Sequence, residues 1–290
     1  VHKFLRAIGF SDITKKDLEM ILDEVITRPE IMKITKDSEG NEFAELSGSF
    51  AANAGITVRG TYQEDDSFHM DYYYPYVFGT SITTNEQIDV EKHAEKESYA
   101  GVCDEVNLGV TLIFYIQNVA DYLAETNRHL SKIHYGAMLA GLSTEGKILC
   151  PVVERKKNDV PAIQKNDRHN QLIAQAREGD EDAIESLTLE DMDTYALLSQ
   201  RVMKEDIFSI VKSTFMPFGI ESDQYTVLGE IIDCVTMENK LTHEKLYGMK
   251  LLCNNIQFDV CINEKDLLGE PAIGRRFRGN VWMQGNLCLE

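Results

Sequence analysis

The chain has 290 residues and a formal net charge of −19 at neutral pH, because 48 Asp and Glu residues outnumber 29 Lys and Arg residues. This length suits one large or two modest domains. A hydrophobic fraction of 43% is that of a globular protein and not of a disordered chain. Such an acidic chain repels phosphate backbones, which disfavours general nucleic-acid binding.

The cysteines and the apolar runs bear on cellular location. The N-terminal segment turns polar too early for a secretory signal, and no apolar run reaches the roughly 20 residues that a membrane span needs. We therefore expect a cytoplasmic protein with no membrane association. No CxxC pair occurs, which favours free thiols over disulfides, at Cys103, Cys150, Cys234, Cys253, Cys261 and Cys288.

The first element is a predicted helix that begins after Thr14 and ends before Pro29. Thr14 followed three residues later by Asp17 is typical of a helix N-cap, and a proline does not continue a helix. The apolar residues between them recur at helical spacing and predict a core-facing stripe, formed by Leu18, Ile21, Leu22, Val25 and Ile26.

Four short β-rich segments follow and predict an antiparallel sheet. Met32–Lys36 and Glu42–Leu46 flank a polar turn at 37–41, and Gly55–Gly60 and Phe68–Tyr72 flank an acidic turn. The N-terminal half is therefore expected to be rich in antiparallel sheet.

The last of these strands runs into a cluster of tyrosines. Strand geometry places Tyr72, Tyr74 and Tyr76 on one side, where they either bind a ligand or partner, or pack in the sheet. The charged segment Gly79–Ala100 follows and is either a surface helix or a loop, and its length suggests a lid.

Further along, Leu108–Ile116 is a continuous apolar run, typical of a buried central strand. Tyr135–Leu142 and Lys147–Val153 flank Ser143–Gly146 and predict a second hairpin. The composition then becomes polar at 154. We therefore predict an N-terminal α+β domain at 1–153, a polar linker and helical connector at 154–205, and a β-rich domain at 206–290.

The C-terminal segment is the densest run of strand signal. Tyr225–Thr236 is rich in β-branched residues, and the paired Asn254 and Asn255, which tolerate positive φ, predict a tight hairpin. Several short strands separated by turns predict a small antiparallel barrel or sandwich, with an oligonucleotide-binding-type barrel as one candidate shape. The fold class is thus α+β.

A cationic run lies within this C-terminal segment. Arg275, Arg276 and Arg278 suit an anion site, because guanidinium groups bind carboxylate and phosphate in a fork. The alternative is that they pair with the protein's own abundant carboxylates, which the excess of Asp and Glu favours.

Catalytic and cofactor motifs are absent from the sequence: it contains no phosphate-binding loop, dinucleotide turn or HExxH helix. We therefore predict no cofactor and no metal, and a non-catalytic binding or regulatory protein that recognises an acidic ligand or a protein partner through the arginines. A hydrolase or transferase with a site near Tyr72–Tyr76 is an alternative. Single-stranded nucleic-acid binding by the C-terminal domain is another, which the net charge disfavours.

Three blocks carry a resemblance to a known family: Lys3–Ser11, Thr214–Gly219 and Gly274–Gly279. With these blocks the chain resembles an uncharacterised family, a domain of unknown function found in clostridial-type Gram-positive bacteria. The resemblance spans nearly the whole chain. It implies a bacterial cytoplasmic protein and carries no assigned reaction, cofactor or catalytic residue.

Overall fold

The structure is a computed structural model that describes residues 1–92, 97–127, 136–152, 175, 180, 182–189, 211–220 and 222–289. The chain divides into two compact units. One comprises 1–150 together with 213–290, and the other comprises 151–212. The two segments that sequence composition assigns to separate N-terminal and C-terminal domains thus lie in one unit. The predicted helical connector falls mostly outside the described residues, of which 182–189 are helical.

The N-terminal part of the larger unit is a four-stranded antiparallel sheet in the order β1-β2-β3-β4. A 3₁₀ helix at Lys3–Ile8 and helix α1 at Lys15–Thr27 precede it. The strands are β1 at Ile31–Lys36, β2 at Glu42–Ala51, β3 at Ala54–Tyr62 and β4 at Phe68–Val77.

Helix α1 begins where the sequence predicts. The side chain of Thr14 accepts a hydrogen bond from the backbone N–H of Asp17, which satisfies one of the free donors at the helix start. Leu18, Leu22 and Val25 are buried on one face, and α1 packs against β2 and β3 through that face. The helical spacing of the apolar residues therefore identified a core-facing helix.

The remaining strands form one ten-stranded sheet with two helical segments. A short 3₁₀ helix lies at Glu264–Asp266, and helix α2 lies at Val119–Asn127. The strands are β5 at Asp89–Lys92, β6 at Tyr99–Glu105, β7 at Val110–Ile116, β8 at Gly136–Leu149, β9 at Thr214–Pro217, β10 at Gln224–Glu238, β11 at Lys245–Cys253, β12 at Ile256–Asn263, β13 at Leu267–Leu268 and β14 at Arg276–Cys288.

Five of these strands close into a barrel. Going round, β8 pairs with β12, β12 with β11, β11 with β10, β10 with β14, and β14 with β8 again. Only the β8–β12 contact is parallel. The prediction of an α+β protein with an antiparallel N-terminal sheet and a small C-terminal barrel is confirmed, with β8 supplied from the N-terminal half of the chain.

The hairpin predicted around Ser143–Gly146 is wrong, because β8 runs straight through these residues. Strand β14 pairs with β8 along its whole length, and the register shifts where Asn280 lies opposite Glu145 and Val281 opposite Ser143. Thr144 is the extra residue of this bulge. A bulge accommodates one additional residue without reversing the strand, so the turn-like composition produces a local irregularity.

The hairpin predicted at the paired asparagines is present between β11 and β12. Cys253 lies opposite Ile256, and Asn254 and Asn255 have φ values of 46° and 69°. Two successive positive φ values match the right-handed twist of the strands that they join.

The segment 79–100 contains strand rather than helix. Strand β5 pairs antiparallel with the start of β6, so the surface-helix alternative is wrong for 89–92; residues 93–96 lie outside the described part.

The core has two parts. One fills the barrel, where Phe258, Phe277 and Met249 are buried, and continues to β7 and α2. The other lies between the four-stranded sheet, the N-terminal helices and the outer face of the barrel, and includes Trp282. The lone tryptophan is therefore a core residue. Its Nε1 donates to Asp223 at 2.7 Å.

Glu97 connects the two sheets. Its carboxylate accepts hydrogen bonds from Ser38 Oγ at 2.5 Å and Lys92 Nζ at 2.9 Å, and from the hydroxyl of Tyr99. Ser38 lies in the β1–β2 turn, whereas Lys92 and Tyr99 belong to β5 and β6. Burial alone would raise the pKa of Glu97, but these hydrogen bonds outweigh it and hold the pKa below its usual value.

We expect Glu97→Gln to destabilise the protein at neutral pH and to lose that effect in acid. A lowered folded-state pKa contributes stability above the unfolded value of about 4.3, and the contribution disappears as the pH falls through the folded pKa. The loss at pH 7 should be roughly 1.5 kcal/mol, as for a hydrogen-bonded charged group. Urea unfolding from pH 7 to pH 3 measures it. Exposed Glu91→Gln is the control, and a gap between wild type and Glu97→Gln that stayed constant with pH would contradict the assignment.

Candidate functional site

Arg59 of β3 is a fully buried arginine at the centre of the larger unit. Antiparallel pairing places it opposite Glu45 of β2 and opposite Tyr72 of β4. Its Nε and Nη2 contact Glu45 Oε1 at 2.7 and 2.6 Å. Nη1 donates to the hydroxyls of Tyr72 and Tyr115, and Nη2 also donates to the hydroxyl of Tyr74 and the carbonyl oxygens of Ile116 and Gln117, at 2.7 to 3.2 Å.

The predicted tyrosine site belongs to this network. Besides accepting from Arg59, Tyr72 donates to the carbonyl of Glu97 at 2.8 Å, and Tyr74 donates to the carbonyl of Gln117 at 3.1 Å. Tyr76 is buried and stacks on Phe78 with ring centroids 4.3 Å apart. Burial raises the pKa of Tyr74 and Tyr76. Their phenols therefore stay neutral, and the prediction that these tyrosines contact a ligand stays a prediction.

The predicted arginine site occupies the start of β14. Arg275 is exposed and donates to the carbonyl of Glu270 at 2.7 Å. Arg276 is buried, and its Nε donates to the carbonyl of Cys150 at 2.9 Å. Arg278 is exposed. Arg276 and Arg278 lie on the same side of β14, two residues apart. Binding of an acidic ligand or partner by these three residues stays a prediction.

A cavity of about 320 Å³ lies between the four-stranded sheet and the barrel. We call it the sheet–barrel pocket. Its wall includes side chains from both sheets and from α2, among them Ile31 and Lys33 of β1, Asp121 of α2, Met138 of β8, and Asn286 and Leu287 of β14. Its volume lies at the lower end of the range of small-molecule sites.

The charges around the sheet–barrel pocket are paired. Glu45 lines it and is held by Arg59 from behind, while its other oxygen accepts from the backbone N–H of Ala120 at 3.0 Å. Lys33 forms an ion pair with Asp121 at the partly exposed side, where their side chains are 41% and 38% accessible. With Arg59 counted behind the wall, the formal charges of Lys33, Asp121, Glu45 and Arg59 cancel.

Uncharged polar groups complete the wall. The hydroxyls of Ser47 and Thr57, both buried, lie 2.8 Å apart across β2 and β3. The side chain of Asn118 holds the backbone of Leu287 through two hydrogen bonds, at 2.8 and 2.9 Å. Ser47, Thr57 and Asn118 are therefore hydrogen-bonded within the protein.

Gln117 is the unusual member of this wall. Its Nε2 donates to the carbonyl of Val77 at 2.9 Å and to Gln284 Oε1 at 2.8 Å. Gln284 in turn donates to the carbonyl of Pro75, so the orientation of both amides is determined. Gln117 Oε1 is buried and receives no hydrogen bond within the described part of the chain. An unmet acceptor of this kind costs about 1 to 3 kcal/mol.

A second depression, of about 860 Å³, lies at the turn end of the four-stranded sheet. It is lined by turn residues such as Gly40, Asn41 and Gln63, which are exposed. None of the residues that line this depression is buried. The sheet–barrel pocket, whose wall includes buried polar groups, is therefore the better candidate site.

Among the described residues, no three His, Cys, Asp or Glu side chains converge as metal ligands would. None of the described helices has the length and apolar character needed to cross a membrane.

A protein-family model matches residues 5–285 of the chain. The matching family is described as a domain of unknown function, with an E. rectale gene description (DUF3881). The chain belongs to the DUF3881 family. The resemblance inferred from the sequence blocks is thereby confirmed, and the match spans the four-stranded sheet, α2 and the barrel of this DUF3881 protein. No curated protein matches the chain, and no solved structure matches it.

Sequence reasoning missed the Arg59–Glu45 pair and the pocket beside it. One signal was present: Glu45 and Arg59 occupy two predicted strands that follow each other in the sequence, and opposite charges inside consecutive strands are typical of a cross-strand pair. No comparable signal marked Gln117, because its burial depends on Gln284 at the other end of the DUF3881 chain.

We expect Arg59→Met to destabilise the DUF3881 protein by about 3 to 5 kcal/mol, because it leaves the Glu45 carboxylate buried without its partner. The double variant Arg59→Met with Glu45→Met should lose much less than the sum of the two single losses. Urea unfolding of all three variants measures this. Lys15→Met removes the exposed pair with Glu19, whose side chains are 86% and 63% accessible, and should cost less than about 1 kcal/mol. A loss at Arg59 no larger than that at Lys15 would contradict the role assigned to Arg59.

Proposed function

We propose that this DUF3881 protein is a non-catalytic binding protein whose small-molecule ligand occupies the sheet–barrel pocket. The carrying observation is the pocket itself: about 320 Å³ between two sheets, with apolar walls and a few buried polar groups. This combination is typical of ligand sites, where apolar contact supplies affinity and a small number of polar groups sets orientation.

The charged groups at the pocket already form ion pairs and hydrogen bonds within the protein, which supports a binding role over a catalytic one. A general base has to accept a proton from the substrate, so it needs a free lone pair directed at that proton. Two nitrogens of Arg59 contact Glu45 Oε1 and the N–H of Ala120 donates to Oε2, so about three of the four lone-pair positions of this carboxylate are taken. Asp121 is paired with Lys33. The neighbouring phenols are neutral, because burial raises the pKa of Tyr74 and Tyr115.

A regulatory role is compatible with the position of the pocket. Its wall joins β1 and α2 to the ends of β8 and β14, so an occupant contacts both the four-stranded sheet and the barrel. A ligand that binds only the folded state stabilises it by about 2.7 kcal/mol at a hundredfold excess over Kd. Ligand binding is therefore expected to raise the free energy of unfolding of the protein.

We infer a cytoplasmic location from the cysteines. All six are free thiols, and burial raises the pKa of Cys253 and Cys261 to about 12, which keeps them unreactive. Free thiols persist in reducing compartments. Fractionation of the native cell with a specific antibody tests the location, and recovery in the medium or the envelope would contradict it.

We expect Ile31→Trp to abolish binding of small molecules to the pocket. Ile31 lines the sheet–barrel pocket and is 44% exposed, so an indole there fills space without disturbing the core. Met32→Trp is the matched control, because Met32 is the adjacent, 55% exposed residue whose side chain lies on the opposite face of β1.

The measurement is a fragment screen by ligand-observed NMR. Fragments that bind the wild type and the Met32→Trp variant should lose their signal with Ile31→Trp. If no fragment binds the wild type, or if every hit binds Ile31→Trp equally well, the proposed function is wrong.

A further inference from the structure

The four-stranded sheet has a second face, opposite to the one that lines the sheet–barrel pocket. Helix α1 packs against β2 and β3 on this face. Towards the β1–β2 and β3–β4 turns the same face opens to solvent. Cross-strand pairing aligns Ile34, Ala44, Gly60 and Met70 in one row across the four strands. Ile34 and Met70, at the two ends of this row, are 42% and 39% exposed.

Two aromatic rings lie beside this row, nearer the turns. Tyr62 and Phe68 are opposite each other on β3 and β4, with ring centroids 5.2 Å apart, and both are half-buried. A Cβ on Gly60 would lie 2.8 Å from Phe68 Cζ, so the Phe68 ring lies across the glycine. Met32 of β1 shares the face and is 55% exposed. We define the turn-end surface as Met32, Ile34, Tyr62, Phe68 and Met70.

Carboxylates surround the turn-end surface. Glu42 lies in the same row as Tyr62 and Phe68, and hydrogen bonds from the hydroxyl and the N–H of Ser67 hold the pKa of Asp65 below its usual value. No ion pair within the described part of the chain involves any of the exposed acids in or beside the two turns. These acids are Glu39, Glu42, Glu64, Asp65 and Asp66.

We propose that the turn-end surface binds a basic amphipathic helix of a protein partner. Exposed apolar surface with a polar rim marks interaction sites, and methionine and aromatic side chains are enriched in protein interfaces. A helix is the element that covers a sheet face, as α1 already does beside this surface. Lys or Arg residues that flank the apolar stripe of the partner helix meet the carboxylates of the rim.

The charge of the rim disfavours other occupants. A second copy of the chain would bring identical carboxylates together across a twofold axis, and like charges in an interface cost several kcal/mol. Anionic membranes and nucleic acids are repelled for the same reason. A net charge of −19 instead attracts a cationic partner, most strongly at low salt.

Three fluorescein-labelled peptides of equal length test the proposal. The first places Leu and Lys at helical spacing (LKKLLKLLKKLLKL), the second replaces every Lys with Glu, and the third replaces every Leu with Ala. Fluorescence anisotropy at low salt gives the Kd of each peptide. We expect the Leu–Lys peptide to bind, the other two to bind at least about tenfold more weakly, and the affinity of the Leu–Lys peptide to fall as salt is added.

Single variants test whether the Leu–Lys peptide occupies the turn-end surface. Ile34→Ser and Met70→Ser each remove a partly exposed apolar side chain, at opposite ends of one row. Each should weaken binding about tenfold, and either one suffices if the other fails to fold. Ile31→Ser is the matched control, because Ile31 is 44% exposed on the same strand and lines the sheet–barrel pocket on the opposite face. Its Kd should equal that of the wild type.

A double variant tests the carboxylate rim separately. Glu42→Gln with Glu64→Gln should weaken binding of the Leu–Lys peptide about fivefold and reduce its salt dependence. Asp89→Asn with Glu91→Gln is the matched control, because both residues are exposed acids of β5, in the other sheet. This control should leave the Kd unchanged.

Several outcomes would overturn the proposal. They are no binding of the Leu–Lys peptide to the wild type, equal binding of the Leu–Glu peptide, and a Kd unchanged in both Ile34→Ser and Met70→Ser. Equal losses in the rim variant and its control would reduce the attraction to the net charge of the chain. A wild-type dimer in sedimentation that dissociates with Ile34→Ser would make the occupant a second copy. The fragment screen with Ile31→Trp tests the sheet–barrel pocket independently of these results.

Discussion

The larger unit depends on the burial of one charged group, the guanidinium of Arg59, away from water. Moving an ion out of water is expensive, and only a full set of hydrogen bonds and an opposite charge offset that cost. Arg59 obtains this set from Glu45 on β2, from two tyrosines on β4, and from Tyr115 and two carbonyl oxygens at the end of β7. The side chain of Arg59 therefore connects three strands of the N-terminal sheet to β7, the strand that pairs with β14 of the barrel.

Closure of the barrel is the second constraint. Strand β14 pairs with β8 from Arg276 opposite Leu149 to Cys288 opposite Gly136, and this pairing leaves neither strand with an open edge inside the barrel. Gly146 and Gly279 face each other there, and a Cβ at either position would lie within 2.5 Å of the Phe277 ring. The two glycines thus admit an aromatic ring to the core.

The sheet–barrel pocket lies between two walls, one held by the contacts of Arg59 and the other by closure of the barrel. Arg59 holds Glu45 and the start of α2 in place from behind, since Glu45 also accepts from Ala120 N. Barrel closure positions Met138 on β8 and Asn286 on β14. Between them remains a space with neutral, hydrogen-bonding walls.

The sequence by itself determined the elements whose contacts are local. Thr14 caps α1 by accepting a hydrogen bond from the backbone of Asp17, three residues later, and Asn254 and Asn255 form the turn between adjacent strands. The helix start and the turn can therefore be predicted from neighbouring residues. The barrel and the antiparallel sheet followed from alternating strand patterns. Only the tertiary structure decided that 136–149 joins strands more than a hundred residues later, because the partner of a strand edge is not encoded in its own pattern. The environment of Gln117 was also decided by the tertiary structure. Its amide is oriented by a hydrogen bond to Gln284, 167 residues away, and this orientation leaves Oε1 without a partner among the described residues.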